Sequence, residues 1–153
     1  QHYTLRLGQN LLFGGATGTT GQFSITDNTY TLDLANKFWK KVESKFKLFS
    51  VRHITICEAA HGAVCIEPYK IVIFGGATGS GGLASDDLYH LDIRDGVGVW
   101  NVINVSHKTP GKRYGHTFSY TKPYLIVFGG NIGEKSVNDC WILNIQKPPL
   151  VWQ

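Results

Sequence analysis

An apolar run closing on two glycines occurs three times in this chain: LLFGG at 11–15, IVIFGG at 71–76 and LIVFGG at 125–130. The second glycines, Gly15, Gly76 and Gly130, stand 61 and 54 residues apart (76 − 15 and 130 − 76). Behind each run come an aromatic and then a tryptophan: Tyr30 and Trp39, Tyr89 and Trp100, Trp141 and Trp152. Self-similarity at a period of this order marks a repeat architecture. A unit this short cannot bury its apolar face alone and must stack on its neighbours. That requirement constrains the fold more than any local pattern does.

Within each unit, turn clusters separate short β runs, and no window carries an amphipathic helical period. IVIF and LIVF are apolar on both sides, as a strand packed between two layers must be. Gly75-Gly76 and Gly129-Gly130 supply backbone angles closed to other residues and let layers approach closely. Tyr89, Trp100, Trp141 and Trp152 are wide, stiff side chains suited to the wedge between twisted sheets. The pattern predicts an all-β chain of about three four-stranded antiparallel blades of a kelch-type β-propeller, over residues 1–47, 58–105 and 113–153. Strands are expected at 3–7, 11–14, 29–33 and 38–42, then 62–66, 71–75, 87–92 and 99–102, then 117–120, 124–129, 139–144 and 150–152. Pro68-Tyr69-Lys70 and Lys122-Pro123-Tyr124 read as hairpin corners.

The chain opens on Gln1 inside the first unit and closes at Trp152-Gln153, which reads as an open arc of a larger propeller. An open arc leaves an apolar sheet face bare at each end. Self-association through the end blades, or blades supplied by further sequence, is therefore expected.

Lysines gather at Lys37, Lys40, Lys41, Lys45 and Lys47 around Trp39 and Val42, within a net charge of +4. They read as the solvated edge of a strand, which lysine commonly protects from pairing. So mild an excess does not point to nucleic acid. Cys57, Cys65 and Cys140 are widely spaced, form no C-x-x-C pair, and read as reduced thiols of an intracellular, cytoplasmic or nuclear protein. No apolar run is long enough to span a membrane as a helix.

Longer loops rich in Gly, Ser, Thr and Asp fall at 16–28, 77–86 and 131–138, on one end of the propeller. Loops held by a rigid scaffold are where binding usually resides. GATGTTG at 15–21 and GATGSGG at 76–82 lack the Lys-Ser/Thr of a phosphate-cradling loop and no helix follows them. His61 and His116 recur before their diglycines, which suits a repeated structural hydrogen bond better than a catalytic base. Asp86, Asp87 and Asp139 read as acceptors of turn amides. Arg113 suits a carboxylate or phosphate on a partner, or an internal pair with Asp86, Asp87 or Asp139, the internal pair being favoured. The partner-binding candidates are Asn131, Lys135, Arg113 and Thr78; a phosphorylated or acidic protein is the partner chemistry that Lys135 and Arg113 fit. No catalytic or metal-ligating set stands out, and no cofactor is expected in this chain.

GGATGSGGLASDDLYHLDI, VW at 99–100 and GKRYGHTFSYTKPYLIVFGGNIGEKSVNDCWILNIQKPPLVW resemble the kelch region of kelch-like Ser/Thr protein phosphatases, over about residues 59–152. The telling residues are Gly82-Leu83, Asp86-Asp87-Leu88, Arg113-Tyr114-Gly115-His116, Gly129-Gly130-Asn131, Gly133, Lys135, Asp139, Trp141 and Lys147-Pro148. That family occurs in plants, where it serves brassinosteroid signalling, and in apicomplexan parasites. Its members join a kelch propeller to a phosphatase domain that hydrolyses phosphoserine and phosphothreonine with two divalent metal ions. The GDxHG, GDxVDRG and GNHE motifs of that domain are missing here, so the resemblance implies a regulatory, partner-binding module and carries over no catalytic or metal residue. A kelch interaction domain of a ubiquitin-ligase adaptor or a cytoskeletal scaffold is the alternative. An enzyme built on the propeller itself, such as a copper oxidase, would need a Tyr, His and Cys cluster that nothing in the sequence places together.

Overall fold

A computed structural model describes residues 2–5, 9–19, 21–46 and 59–153. In chain order the strands are β1 (His2–Leu5), β2 (Gln9–Phe13), β3 (Ala16–Thr19), β4 (Gln22–Ile25), β5 (Thr29–Asp33), β6 (Phe38–Phe46), β7 (Gly62–Glu67), β8 (Lys70–Phe74), β9 (Leu88–Arg94), β10 (Val97–Ile103), β11 (Thr117–Thr121), β12 (Tyr124–Asn131) and β13 (Ser136–Asn144). No helix occurs among the described residues. Lys47, Cys57 and Glu58, with the blade boundaries drawn at 47 and 58, lie outside them.

Among the described residues the strands form an eight-stranded sheet β1-β2-β5-β6-β10-β9-β8-β7, a three-stranded sheet and the two-stranded β3–β4, and each blade is antiparallel within itself. Blade one is β1-β2-β5-β6, blade two is β7-β8-β9-β10, and blade three is β11-β12-β13. Blade three is completed by single bridges at Val151 and Trp152, the latter opposite Leu143. The first strands lie side by side, β7 touching both β1 and β11, so they line the inside of the arc. This is the fan of wedge-shaped sheets that the diglycine-to-tryptophan recurrence predicts.

Period-two alternation divides every blade into two apolar faces. Leu11, Phe13 and Val42 of blade one pack against Ala63, Ile71, Ile73, Tyr89, Leu91 and Trp100 of blade two. The opposite face of blade two, with Val72, Phe74 and Leu88, packs against Leu125, Val127, Leu143 and Trp152 of blade three. At both junctions the Phe before the diglycine meets the next blade's tryptophan, Phe13 with Trp100 at 4.9 Å and Phe74 with Trp152 at 6.0 Å between ring centroids.

Two features differ from the sequence reading. The loop at 16–28 is largely a hairpin, β3 pairing with β4 from Ala16↔Ile25 to Thr19↔Gln22. The lysine-rich strand is longer than expected and is not an open edge throughout. After closing blade one, β6 runs on and pairs in parallel with β10, from Glu43↔Val97 to Phe46↔Trp100. The same tie recurs at the next junction, where Ser106 bridges Val151 in parallel and its N–H donates to the Leu150 carbonyl at 2.7 Å. Each blade's outgoing segment thus laces the outer strand of the blade after it.

Close approach at the second junction depends on Gly62. A Cβ there would lie 2.4 Å from Phe118 Cβ and 2.6 Å from His116 Nε2. Overpacking of this kind typically costs about 2 kcal/mol, and Gly62→Ala is expected to lower the urea midpoint accordingly, with an unchanged m-value.

Candidate functional site

The end of the arc that carries the long loops is organised by backbone ladders. The Ala59 and Ala77 N–H groups each donate to the other's carbonyl, at 3.0 and 2.8 Å, and Gly76 N–H donates to the Arg113 carbonyl at 2.7 Å. Gly115 N–H donates to the Ala60 carbonyl at 2.9 Å, and Tyr114 and Asn131 exchange both bonds at 3.0 and 2.9 Å. Gly75 sits in this weave at φ 62°, and a Cβ there would lie 2.4 Å from the Arg113 carbonyl oxygen. Gly75 and Gly130 are therefore where the chain passes the entrance of blade three, with a Cβ at Gly130 2.9 Å from the Tyr114 carbonyl oxygen, and no larger residue fits at either.

The loops also touch one another. A Cβ at Gly79 would lie 3.7 Å from Ile25 Cβ, and one at Gly133 would lie 3.6 Å from Leu83 Cδ1. Blades one, two and three thus present one continuous loop face. Thr78 and Asn131 stand on adjacent loops of it.

The four sequence candidates divide into three roles. Thr78 shapes its own turn: its N–H donates to the Gly82 carbonyl at 2.9 Å, its carbonyl accepts from Gly81 N–H at 3.0 Å, and its hydroxyl donates to Gly82 at 3.2 Å. Asn131 uses Oδ1 to accept the Gly133 N–H at 2.8 Å, which pins the blade-three loop. Lys135 closes that turn through its carbonyl, 3.0 Å from Ile132 N–H, while the residue itself is exposed and enters none of the ion pairs among the described residues. Arg113 points inward and is 2% exposed. Its Nη1 donates to Asp139 Oδ1 at 2.7 Å and to the Gly129 carbonyl at 2.8 Å; Nη2 donates to Asp139 Oδ2 at 3.0 Å and to the Pro110 carbonyl. The internal pair is the one formed, and its guanidinium is not offered to a partner.

Hydrogen bonding from Arg113 and then from Trp141 holds the Asp139 carboxyl at about 2, well below the usual carboxylate range. Trp141 Nε1 donates to Asp139 Oδ2 at 2.7 Å, and Lys108 Nζ lies 5.4 Å above the Trp141 ring. Asp87 repeats the motif in blade two, accepting from Tyr89 Oη at 3.0 Å. Asp86 accepts from Thr109 Oγ1 at 2.6 Å. The acids therefore meet hydroxyl, indole and guanidinium donors where turn amides were expected. A carboxylate two residues before the strand aromatic anchors that ring in each of these two blades.

His116 is buried beside Phe74, with ring centroids 5.5 Å apart, and His61 takes the same place beside Phe13 at 5.4 Å. Neither nitrogen of His116 makes a hydrogen bond of ordinary geometry. The recurring histidine is thus an edge-on ring partner of the preceding blade's phenylalanine. Burial, then Arg113 and His61, lower the His116 pKa to about 4.

Two exposed aromatics on the loop face escaped the sequence reading. Phe23, on the β3–β4 hairpin, is 68% exposed, and Tyr114 is 37% exposed beside Asn131. Tyr114, Gly115, Gly130, Asn131, Ser136 and Val137 line a shallow concavity of about 380 Å³. An aromatic placed in a Gly/Thr/Ser loop, where no core awaits it, was the available signal for Phe23. Among the described residues no three His, Cys, Asp or Glu side chains converge.

Blades stacked face to face around their first strands, each carrying the diglycine and the closing tryptophan, define a kelch-repeat propeller segment of the protein-interaction type. The chain belongs to the KLHDC2/KLHL20/DRC7 Kelch-repeats domain family, whose model matches residues 2–153. It is 33% identical to serine/threonine-protein phosphatase BSL2 of Arabidopsis thaliana over 96 residues, 62% of the chain and 9% of that protein. An F-box/kelch-repeat protein of Arabidopsis thaliana is 34% identical over 58% of the chain and 19% of its own length. Adagio protein 3 of the same plant is 27% identical over 88% of the chain and 21% of its own length. The chain thus spans less than a quarter of the length of each of these relatives.

Proposed function

We propose that this chain is the partner-docking domain of a serine/threonine protein phosphatase, presenting its loop face to a protein whose phosphorylation state the parent enzyme controls. The observation that carries the docking part is the exposure of Phe23, Tyr114 and Lys135 on the loops of that end. Exposed aromatics are residue types enriched in binding hot spots. The phosphatase part rests on the 33% identity to such an enzyme. A docking domain acts there by raising the effective concentration of substrate at a tethered catalytic site, with no reacting group of its own.

The second reading is a substrate-recruiting domain of an F-box type adaptor, supported by a similar identity of 34% to such a protein. It uses the same loop face and differs in what the parent does to the captured protein.

The gene's complete product, assayed on phosphoserine and phosphothreonine peptides with and without a chelator, separates the two. Chelator-sensitive release of phosphate is expected. A product that releases none in the presence of Mn²⁺ sinks the phosphatase reading. Phe23→Ser with Lys135→Ala is expected to weaken capture of the protein substrate about tenfold or more, with the far-ultraviolet dichroism unchanged. Undiminished capture removes the loop face from the interface.

A further inference from the structure

We propose that the cleft between blades two and three binds a small apolar carboxylic acid as its anion, the carboxylate meeting Lys70, His90 and Lys122 and the hydrocarbon body lying against Ile66, Ile103 and Ile145. The cleft opens beside the β7–β8 and β11–β12 hairpins, at the other end of the arc from the loop face.

The space has a structural origin that recurs at both junctions. Four residues before the second-strand phenylalanine stand Gln9 in blade one and Lys70 in blade two, and period-two alternation turns each to the same face as its phenylalanine. Thr31 and His90 hold matching places on the third strand, two residues beyond Thr29 and Leu88, which pair with Phe13 and Phe74. Gln9 and Thr31 line a cleft of about 560 Å³ opposite Ile93 of blade two. Lys70 and His90 line one of about 290 Å³ opposite Ile145 of blade three, and a neighbouring hollow of about 440 Å³ shares Ile66, Glu67, Tyr120 and Lys122 with it. The blades supply the room, and the side chains at these positions decide its chemistry.

Ile66, Ile103, Tyr120, Ile145 and Leu150 pack against the buried cluster that holds Val72, Leu125 and Leu143, so the second cleft is apolar at depth. Its polar groups are few, as in small-molecule sites generally. Lys122 is exposed and enters none of the ion pairs among the described residues. Lys70 Nζ lies 2.9 Å from Glu67 Oε2, on an acid whose side chain is 61% exposed and free to turn out to water. Asp92, further along β9, is held by Arg94 at 2.8 Å. Burial and then the Lys70 charge lower the His90 pKa, so the ring is neutral at pH 7 and donates from one nitrogen. Two cations less one acid leave the lining a single positive charge, the complement of a carboxylate and not of a dianionic phosphate.

Titration calorimetry of the gene's complete product with octanoate tests this, with octanol, octylamine and octyl phosphate as probes of the head group. Octanoate is expected to bind one to one with a Kd of about 1 mM or below. The other three are expected to bind at least about tenfold more weakly, the margin of one charge-assisted hydrogen bond. Lys70→Gln with Lys122→Gln should weaken octanoate about tenfold and leave octanol unchanged. Lys112→Gln, an exposed cation beside Arg113, should change neither. No octanoate binding overturns the proposal, and so does octanol binding as tightly as octanoate, which is apolar partitioning alone. Octyl phosphate binding tightest of all overturns the single-charge match. Undiminished octanoate binding by the double variant takes the lysines out of the site and overturns it too. A double variant that loses octanol as well has lost the cleft itself; Lys122→Gln alone, which leaves the Lys70–Glu67 pair in place, then decides by the same two probes.

Discussion

Asp139→Ala is expected to destabilise the domain by about 3 kcal/mol, a large share of the 5–15 kcal/mol that holds a typical domain together. The reason is the asymmetry of the pair. Arg113 is 2% exposed, while the Asp139 side chain is 42% exposed, so removing the acid strands a cation that cannot reach water. The Gly129 and Pro110 carbonyls would remain as acceptors, yet they carry no compensating charge. Trp141 would lose its indole acceptor in the same step. Breaking a buried pair by removing one partner typically costs about 3–5 kcal/mol, and the partly open carboxylate places this pair at the lower end. Replacing both residues, Arg113→Met with Asp139→Ala, removes the stranded charge and should cost less than the single change. Denaturant titrations of the three variants check this; an Asp139→Ala midpoint within error of wild type would mean that the pair contributes no stability.

The propeller was legible because its evidence is periodic. Gly14-Gly15, Gly75-Gly76 and Gly129-Gly130 recur, each at positive φ, and the tryptophans recur behind them. Strand alternation then assigned the faces: IVIF is buried throughout because blade two alone has a neighbour on both sides. What escaped was non-periodic or long-range. The β3–β4 hairpin is built from ATGT and QFSI, all but Ile25 exposed, so no alternating apolar face announces it. The continuation of β6 reads locally as a lysine-protected edge. Its partner, β10, lies 54 residues further along the chain (97 − 43), and no local charge pattern can report a partner at that distance.

The candidate site was legible in outline for a related reason. Loops between second and third strands must emerge together once the blades are in register, so Thr78, Asn131 and Lys135 fall on one face. Which side chains face the solvent is settled by packing. Asn131 looks like a surface ligand and spends its carbonyl oxygen on the Gly133 amide. Arg113 looks like an anion site and is closed off by an acid 26 residues away. Phe23 would be assigned to a core by its hydrophobicity, and the hairpin holds it away from one.

Acid is expected to loosen the second junction well before it protonates the carboxylates. The His116 pKa falls from 6.5 to about 4 on folding, through burial first and then the Arg113 and His61 charges. The sign follows from proton counts. Between these two values the unfolded chain holds a proton on this group that the folded chain refuses, so stability rises with pH across the window and this contribution is level above it. By pH 4 the loss amounts to about 3 kcal/mol, from 1.36 kcal/mol per pKa unit. Asp139 acts lower down: its folded value of about 2 lies under its ordinary 3.8, so its stabilisation is present above 3.8 and lost as pH falls towards 2. His116→Phe separates the two effects by replacing the titrating ring with one that suits the edge-on contact with Phe74, at 5.5 Å in the native chain. Chemical denaturation at pH 7 and at pH 4.5 should show wild type losing about 2.5 kcal/mol more than the variant. Equal losses in the two proteins would mean that the His116 ring binds its proton as readily in the folded chain as in the unfolded one, and would place the acid sensitivity in another group.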